Sequence, residues 1–474
     1  MTSSSRLNLS ALIALVVGSM IGGGIFSLPQ NVASSAGPGA MLIGWIITGI
    51  GMLTLAFVFQ TLANRKPELD AGIYAYAKAG FGNFMGFSSA WGYWISAWIG
   101  NVSYFVLLFS TLGLFFPIFG EGNTVTAILC ASILLWAIHF LVLKGLREAA
   151  FVNLITTIAK VVPLVLFIVV AAFAFSADVF TNDFWGKAGL ELGSVMDQAR
   201  NMMLVTVWVF IGIEGASIYS ARAAKRSDVG RATVAGFLGV LLLLVLVNVL
   251  SMGIMSQPEL AALKNPSMAG VLEHVMGPWG AIIISVGLVI SLLGGLLAWT
   301  LLCAEILFAG ARDNTMPRFL KKENDRKVPV NALWVSNALI QLFLILTLFN
   351  EATYLNLLYL ATSMILLPYF WSAAYAWLVS WRGESYSLEP RERNKDLVIA
   401  GIAVLYSAWL VYAGGIQYVL LSALLYAPGA IFFAKARREQ DLPVFSPAEK
   451  FIFAVVLAGA AIAAFGMYQG WLTL

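Results

Sequence analysis

Gly18-Ser19-Met20-Ile21-Gly22-Gly23-Gly24-Ile25-Phe26, followed by Pro29, lies inside an apolar run over residues 10–35. The run is long enough to cross about 30 Å of hydrocarbon as a helix, yet its middle is poor helical sequence. Each interior glycine costs about 1 kcal/mol relative to alanine, and three stand in a row. Unwinding at that depth frees backbone N–H and C=O groups, which is tolerable only where they line a cavity or meet a ligand. Small residues also let helices pack closely, so the glycines alone leave both readings open. A second interruption tilts the balance. Trp208-Val209-Phe210-Ile211-Gly212-Ile213-Glu214-Gly215-Ala216 sets two glycines around a carboxylate in mid-apolar sequence. Breaks at corresponding positions five spans apart point to an inverted-repeat transporter with its site at the midplane. Half-helix N-termini offer N–H donors to an anionic group, and the freed carbonyls accept from a cationic one. Together they make a receptor for a zwitterion.

Composition agrees with a membrane setting. The 474 residues are 60% hydrophobic and only 11% charged, where soluble domains carry about 25% charged residues. Mean hydropathy is +0.87. The formal net charge of +4 is too mild to indicate nucleic acid. Cys130 and Cys303 lie in apolar runs and the only histidines are His139 and His274, so neither a disulfide framework nor a metal site is expected. The first apolar run follows Arg6 with no small-residue cleavage site, and so reads as a span rather than a signal peptide.

Apolar runs fall at 10–35, 40–63, 83–117, 123–143, 149–175, 200–221, 232–255, 279–310, 329–349, 352–381, 397–414, 416–434 and 450–470. The expected fold is therefore an all-α membrane protein of thirteen spans, with the first and sixth broken. Only Gly414 and Gly415, with no charge between them, separate the eleventh from the twelfth. An odd number of spans per repeat inverts the second copy. Residues 1–175 (spans 1–5) and 176–381 (spans 6–10) then form a five-plus-five inverted repeat, with 382–474 as three additional spans. Of 28 Lys and Arg, only Lys187, Arg200 and Lys264 fall in loops away from the N-terminal side, and Lys160 sits within a span. The remaining 24 lie on the N-terminal side, which the positive-inside rule makes cytoplasmic. Thirteen spans put the C-terminus outside.

Charge inside a span is expensive and by default functional. Glu214 is near the centre of span six, where capping the broken helix is its purely structural alternative. Lys160 is about eleven residues into span five, too deep for easy snorkelling. Trp208 and Trp299 are mid-span rather than at the interfacial belts. Core packing explains either one alone, but beside broken helices an indole face suits a cationic side chain.

These residues also carry a resemblance. The Gly22-Gly23-Gly24-Ile25-Phe26 stretch with Pro29 resembles the first-helix signature of the amino acid–polyamine–organocation superfamily. Pro67-Glu68 with Gly72-Ile73-Tyr74-Ala75-Tyr76-Ala77, then Gly82 and Gly86-Phe87, match the loop into its third span. Phe210-Ile211-Gly212-Ile213-Glu214 and Ala311-Arg312-Asp313-Asn314 with Pro317 match two further motifs. The likeness covers nearly the whole chain and is greatest to the basic amino acid/polyamine antiporters, within them to arginine/ornithine antiporters of the arginine deiminase pathway. It implies the five-plus-five repeat and a central substrate site. By that likeness the substrate carboxylate meets Gly22, Gly23 and Gly24, with Ile21 in the same break. Carbonyls of Met20, Trp208 and Ile211, beside Gly212, take the α-ammonium. Trp208 and Trp299 supply aromatic contacts; Tyr93, Ser96, Ala97 and Asn101 occupy pocket positions. Glu214 is implied as the gating acid, and Lys160 resembles the lysine that replaces sodium in proton-coupled members. A related arginine/agmatine antiporter has serine where this chain has Gly23, so a hydroxyl contact is missing and backbone donors must serve.

Three function classes follow. An exchanger of cationic amino acids at the bacterial inner membrane, arginine for ornithine, is favoured by the likeness, the two indoles and the acidic external loops. A proton-coupled amino acid symporter is favoured by Lys160. An enzyme or channel lacks support, since no zinc spacing, nucleophile elbow, phosphate loop or repeated pore-lining ring appears. Expected partners are amino acid substrates and the lipid bilayer, with no cofactor, no metal and no nucleic acid; a homodimer is left open.

Overall fold

The computed structural model describes residues 8–69, 72–145, 149–186, 191–214, 223–225, 227–350, 354–386 and 390–472, the side chains of Leu15, 149–159 and Asn350 aside. Secondary structure among them is helical, apart from isolated bridge residues at Ala223 and at Glu323 with Pro329. The first interrupted run is two helices, α1 (Leu9–Met20) and α2 (Gly24–Ala33), meeting at 46°. Asn8 starts α1 by accepting a hydrogen bond from the Ala11 amide, which satisfies one donor of the first turn. Next come α3 (Pro38–Arg65), the short α4 (Ile73–Phe81), α5 (Asn83–Gly113), α6 (Val125–Leu143) and α7 (Ala149–Ala174). Two small helices, α8 (Ala177–Thr181) and α9 (Leu192–Asn201), lead to α10 (Met203–Trp208), which ends at the second interruption.

The chain continues with α11 (Ser227–Met252), short α12 (Gln257–Ala261) and α13 (Ser267–Met276), α14 (Pro278–Arg312), α15 (Val330–Asn350) and α16 (Tyr354–Arg382). It ends with α17 (Pro390–Ala413), α18 (Gly415–Tyr426), α19 (Gly429–Arg438) and α20 (Pro447–Tyr468). Among the described residues ten helices are long and apolar enough to cross a membrane, eleven with the α1–α2 pair taken as one bent span. The fifth expected span falls at α7. The sixth begins at α10 and runs on into residues 215–221, outside the described residues, where Gly215 also lies.

Burial shows which helix is the axis. The apolar stretch of α5 is 94% buried, against 17% for α20. Around α5 pack α14, α15 and α16, while α1 lies along α11 and α10 against α3 and α16. Large apolar side chains such as Phe173, Ile133, Leu405 and Phe451 are at least 72% exposed. Hydrocarbon rather than water is the solvent that suits such faces.

Candidate functional site

Helix α1 ends because Ile21 leaves helical geometry at ψ 87°. The Gly22 amide turns back to the Met20 carbonyl at 2.9 Å, and the next regular turn begins at Gly24. The second break follows α10 through tight turns, Ile211 N–H to Trp208 O at 3.2 Å and Ile213 N–H to Phe210 O at 3.0 Å. Between them Gly212 takes φ +107°, a conformation that favours glycine. A Cβ there would stand 2.9 Å from the Ser19 carbonyl. The two breaks touch directly, since the Ser19 hydroxyl donates to the Gly212 carbonyl at 2.8 Å. Residues 193 positions apart are thereby locked at the same depth.

A cavity opens beside this junction, lined by Met20, Gly22, Gly24, Ser96, Ala97, Gly100, Tyr104, Trp208, Val209, Ile211 and Trp299. Eight of the expected binding residues line it: Met20, Gly22, Gly24, Ser96, Ala97, Trp208, Ile211 and Trp299. Gly24 and Gly100 make room for one indole. A Cβ on either would come within 2.9 and 3.2 Å of Trp208.

The other expected residues stand around the cavity rather than on its wall. Ile21 is buried at the end of α1, and a Cβ on Gly23 would press on Leu107 and Leu292. Tyr93, one turn before Ser96, donates its hydroxyl to Glu214 Oε1 at 2.6 Å. Tyr369 of α16 donates to Oε2 at 2.9 Å, and the Gly212 amide reaches the same oxygen at 3.3 Å. Glu214, 2% exposed, is thus held from α5, α16 and its own break. Asn101 is fully buried with both side-chain amide atoms lacking a hydrogen-bond partner. An orphaned buried amide costs about 1–3 kcal/mol. Lys160 of α7, 6% exposed, donates to the Gly18 carbonyl at 3.0 Å, on the last turn of α1.

Three tyrosines at the site were not among the expected residues. Tyr369 completes the clasp on Glu214. Tyr354, at the start of α16, accepts from the Trp208 indole N–H at 3.3 Å, and Tyr104 stands edge-on to the same indole at 6.2 Å. The Trp208 indole thus lies on the cavity wall, and the clasp holds Glu214 at the second break. Lys66 at the end of α3 pairs with Glu384 at 2.6 Å, and the Arg65 guanidinium lies 4.0 Å over the Tyr386 ring.

Residues 7–460 match the family described as "Amino acid permease". The chain belongs to that family. This permease is a membrane transport protein and not an enzyme. It is 70% identical to an arginine/ornithine antiporter of Pseudomonas aeruginosa, over all of this chain and 99% of the relative. It is 45% identical to an L-lysine transport protein of Corynebacterium glutamicum, over all of this chain and 97% of that one. To an arginine/agmatine antiporter of Chlamydia caviae the permease is 42% identical, over 97% and 96% of the two chains.

Proposed function

We propose that the permease exchanges cationic amino acids, arginine for ornithine, by alternating access across the bacterial inner membrane. The observation that carries this reading is the 70% identity, over the whole chain, to a protein named an arginine/ornithine antiporter. The cavity supports it. Backbone N–H groups of Gly23 and Gly24 at the N-terminus of α2 face the carboxylate, with Ile21 and Gly22, whose amide bonds to the Met20 carbonyl, beside them. Carbonyls of Met20, Trp208 and Ile211 take the α-ammonium. The indoles of Trp208 and Trp299 and the amide of Asn101 meet the side-chain cation. Glu214, clasped by Tyr93 and Tyr369, is the gate on the N-terminal side, and Lys160 holds the Gly18 carbonyl on the last turn before the first break.

The ten long helices, the bent α1–α2 pair, α7 and the α10 break are consistent with thirteen spans. In this reading residues 1–175 and 176–381 are inverted repeats, 382–474 add three spans, the N-terminus is cytoplasmic and the C-terminus outside. Liposomes loaded with ornithine or arginine should take up labelled arginine far faster than empty ones. Both substrates carry about one positive charge, so exchange should ignore an imposed voltage. The hydrogen bond from Lys160 to Gly18 favours a second reading, proton-coupled symport. Equal uptake into empty vesicles, driven by a pH gradient, would establish that reading instead.

A further inference from the structure

Tyr104 sits where the missing hydroxyl of the glycine break is needed. It projects from α5 into the cavity wall and is 7% exposed. Its ring meets the Trp208 indole edge-on, at an interplanar angle of 81°. One ring edge passes over Gly295 of α14, where a Cβ would come within 3.1 Å, and the other over Gly23, where the distance would be 3.7 Å. The hydroxyl itself rests on Gly22, and any Cβ on that residue would overlap it. Glycines on two helices thus leave room for this phenol to reach the unwound backbone. A tyrosine hydroxyl has a proton to donate. Next to it lie the first amides of α2, which have no partner within the helix and attract an anion.

We propose that the Tyr104 hydroxyl is a carboxylate ligand of the permease, donating to the substrate's α-carboxylate in place of a side chain on the glycine break. The proposal rests on the reading that the cavity binds cationic amino acids, and it adds the determinant that selects them over the corresponding amines and amides. A hydrogen bond to a charged acceptor that is lost on removing the donor weakens binding by about ten- to a hundredfold.

The test is competition binding to the purified permease in lipid nanodiscs, with L-arginine, L-ornithine and argininamide, which keeps the guanidinium but has a neutral amide for the carboxylate. Tyr104→Phe keeps the ring against Trp208 and removes the hydroxyl alone. Arginine and ornithine should bind it about ten- to a hundredfold more weakly. Argininamide should change far less, so the wild-type preference for the carboxylate narrows by the same factor. Tyr104→Met, which also lacks the hydroxyl, should narrow it equally, whatever it does to the fit of the aliphatic chain. An unmoved arginine affinity, or equal weakening of arginine and argininamide in both variants, overturns the proposal. Wild-type protein that binds neither arginine nor ornithine overturns the exchange reading and this one with it.

Discussion

Removing one hydroxyl by Tyr369→Phe tests whether the clasp on Glu214 holds one side of the cavity shut. The Tyr369 hydroxyl donates to Glu214 Oε2 at 2.9 Å in a wholly buried setting. Its ring packs edge-on against Phe59, with centroids 6.1 Å apart, and phenylalanine keeps that contact. A hydrogen bond of this kind contributes about 0.5–1.5 kcal/mol to a neutral carboxyl and about 1.5–3 kcal/mol to a carboxylate. The Tyr93 hydroxyl and the Gly212 amide remain on the acid, so it is not stranded. A bond made only in the closed arrangement biases the closed–open equilibrium by its full free energy. The population open toward the N-terminal side should rise roughly 2- to 12-fold for the neutral acid and roughly 12- to 150-fold for the carboxylate. The assay is the labelling rate of Ser96→Cys, a cavity-lining position, by a membrane-impermeant maleimide in vesicles with the N-terminal face outward, Cys130 and Cys303 having been replaced. An unchanged rate in a variant of wild-type melting temperature would refute the reasoning.

Trp299→Ala should weaken binding of arginine and ornithine by about 0.5–2 kcal/mol if the indole meets their charge in a desolvated cavity; equilibrium binding in nanodiscs reads this. Lys160→Met removes the donor from the Gly18 carbonyl and should abolish exchange without loss of expression or folding, with no rescue by sodium. Wild-type exchange rates in that variant would leave Lys160 as a tolerated buried lysine. The Lys66–Glu384 pair gives a pH-dependent prediction outside the spans. The hydrogen bond from Lys66 holds the Glu384 carboxyl below the usual range, and Glu384 raises the Lys66 ammonium. A lowered carboxyl stabilises the fold above its unfolded value of about 4.3 and stops doing so as pH falls through its folded one. The raised ammonium stabilises below about 10.4 and stops doing so as pH rises through its own folded value. Glu384 is partly exposed, so Glu384→Gln should cost less than about 1 kcal/mol at neutral pH. Its melting temperature should approach that of wild type as pH falls below about 4.3 and through the lowered folded value.

Some of this site was legible in the sequence because it breaks a local rule. Three glycines inside an apolar run, a carboxylate between glycines and a lysine in mid-span each conflict with their surroundings; in the structure Gly22 and Gly24 line the cavity, Glu214 meets the second break and Lys160 the last turn of α1. The tyrosines break no rule. Tyr369 and Tyr104 sit in apolar helices of a chain with 15 tyrosines, and nothing local separates a clasp from a packing residue. Their meaning comes from partners far along the chain, Glu214 being 155 residues from Tyr369. One signal was available: Tyr93 and Tyr369 each fall near the middle of a run rather than at an interfacial belt, as Trp208 and Trp299 do. Helix ends were legible where residues impose them. Ser446-Pro447 with Glu449 caps α20, and Gly414-Gly415 divides α17 from α18, Gly415 taking φ +81°. The contact of Ser19 with Gly212 had no trace in the sequence, because only the folded arrangement brings the two breaks to one depth.

A structure of the permease with L-arginine bound in nanodiscs tests most directly whether the two broken helices frame the substrate site. The expected density places the carboxylate at the N-terminus of α2, beside Gly22–Gly24 and the Tyr104 hydroxyl. The guanidinium should lie toward Trp299 and Asn101, the indole of Trp208 covering the chain between. Arginine bound elsewhere, or lying in this cavity with its carboxylate turned away from the glycine break, would contradict the assignment.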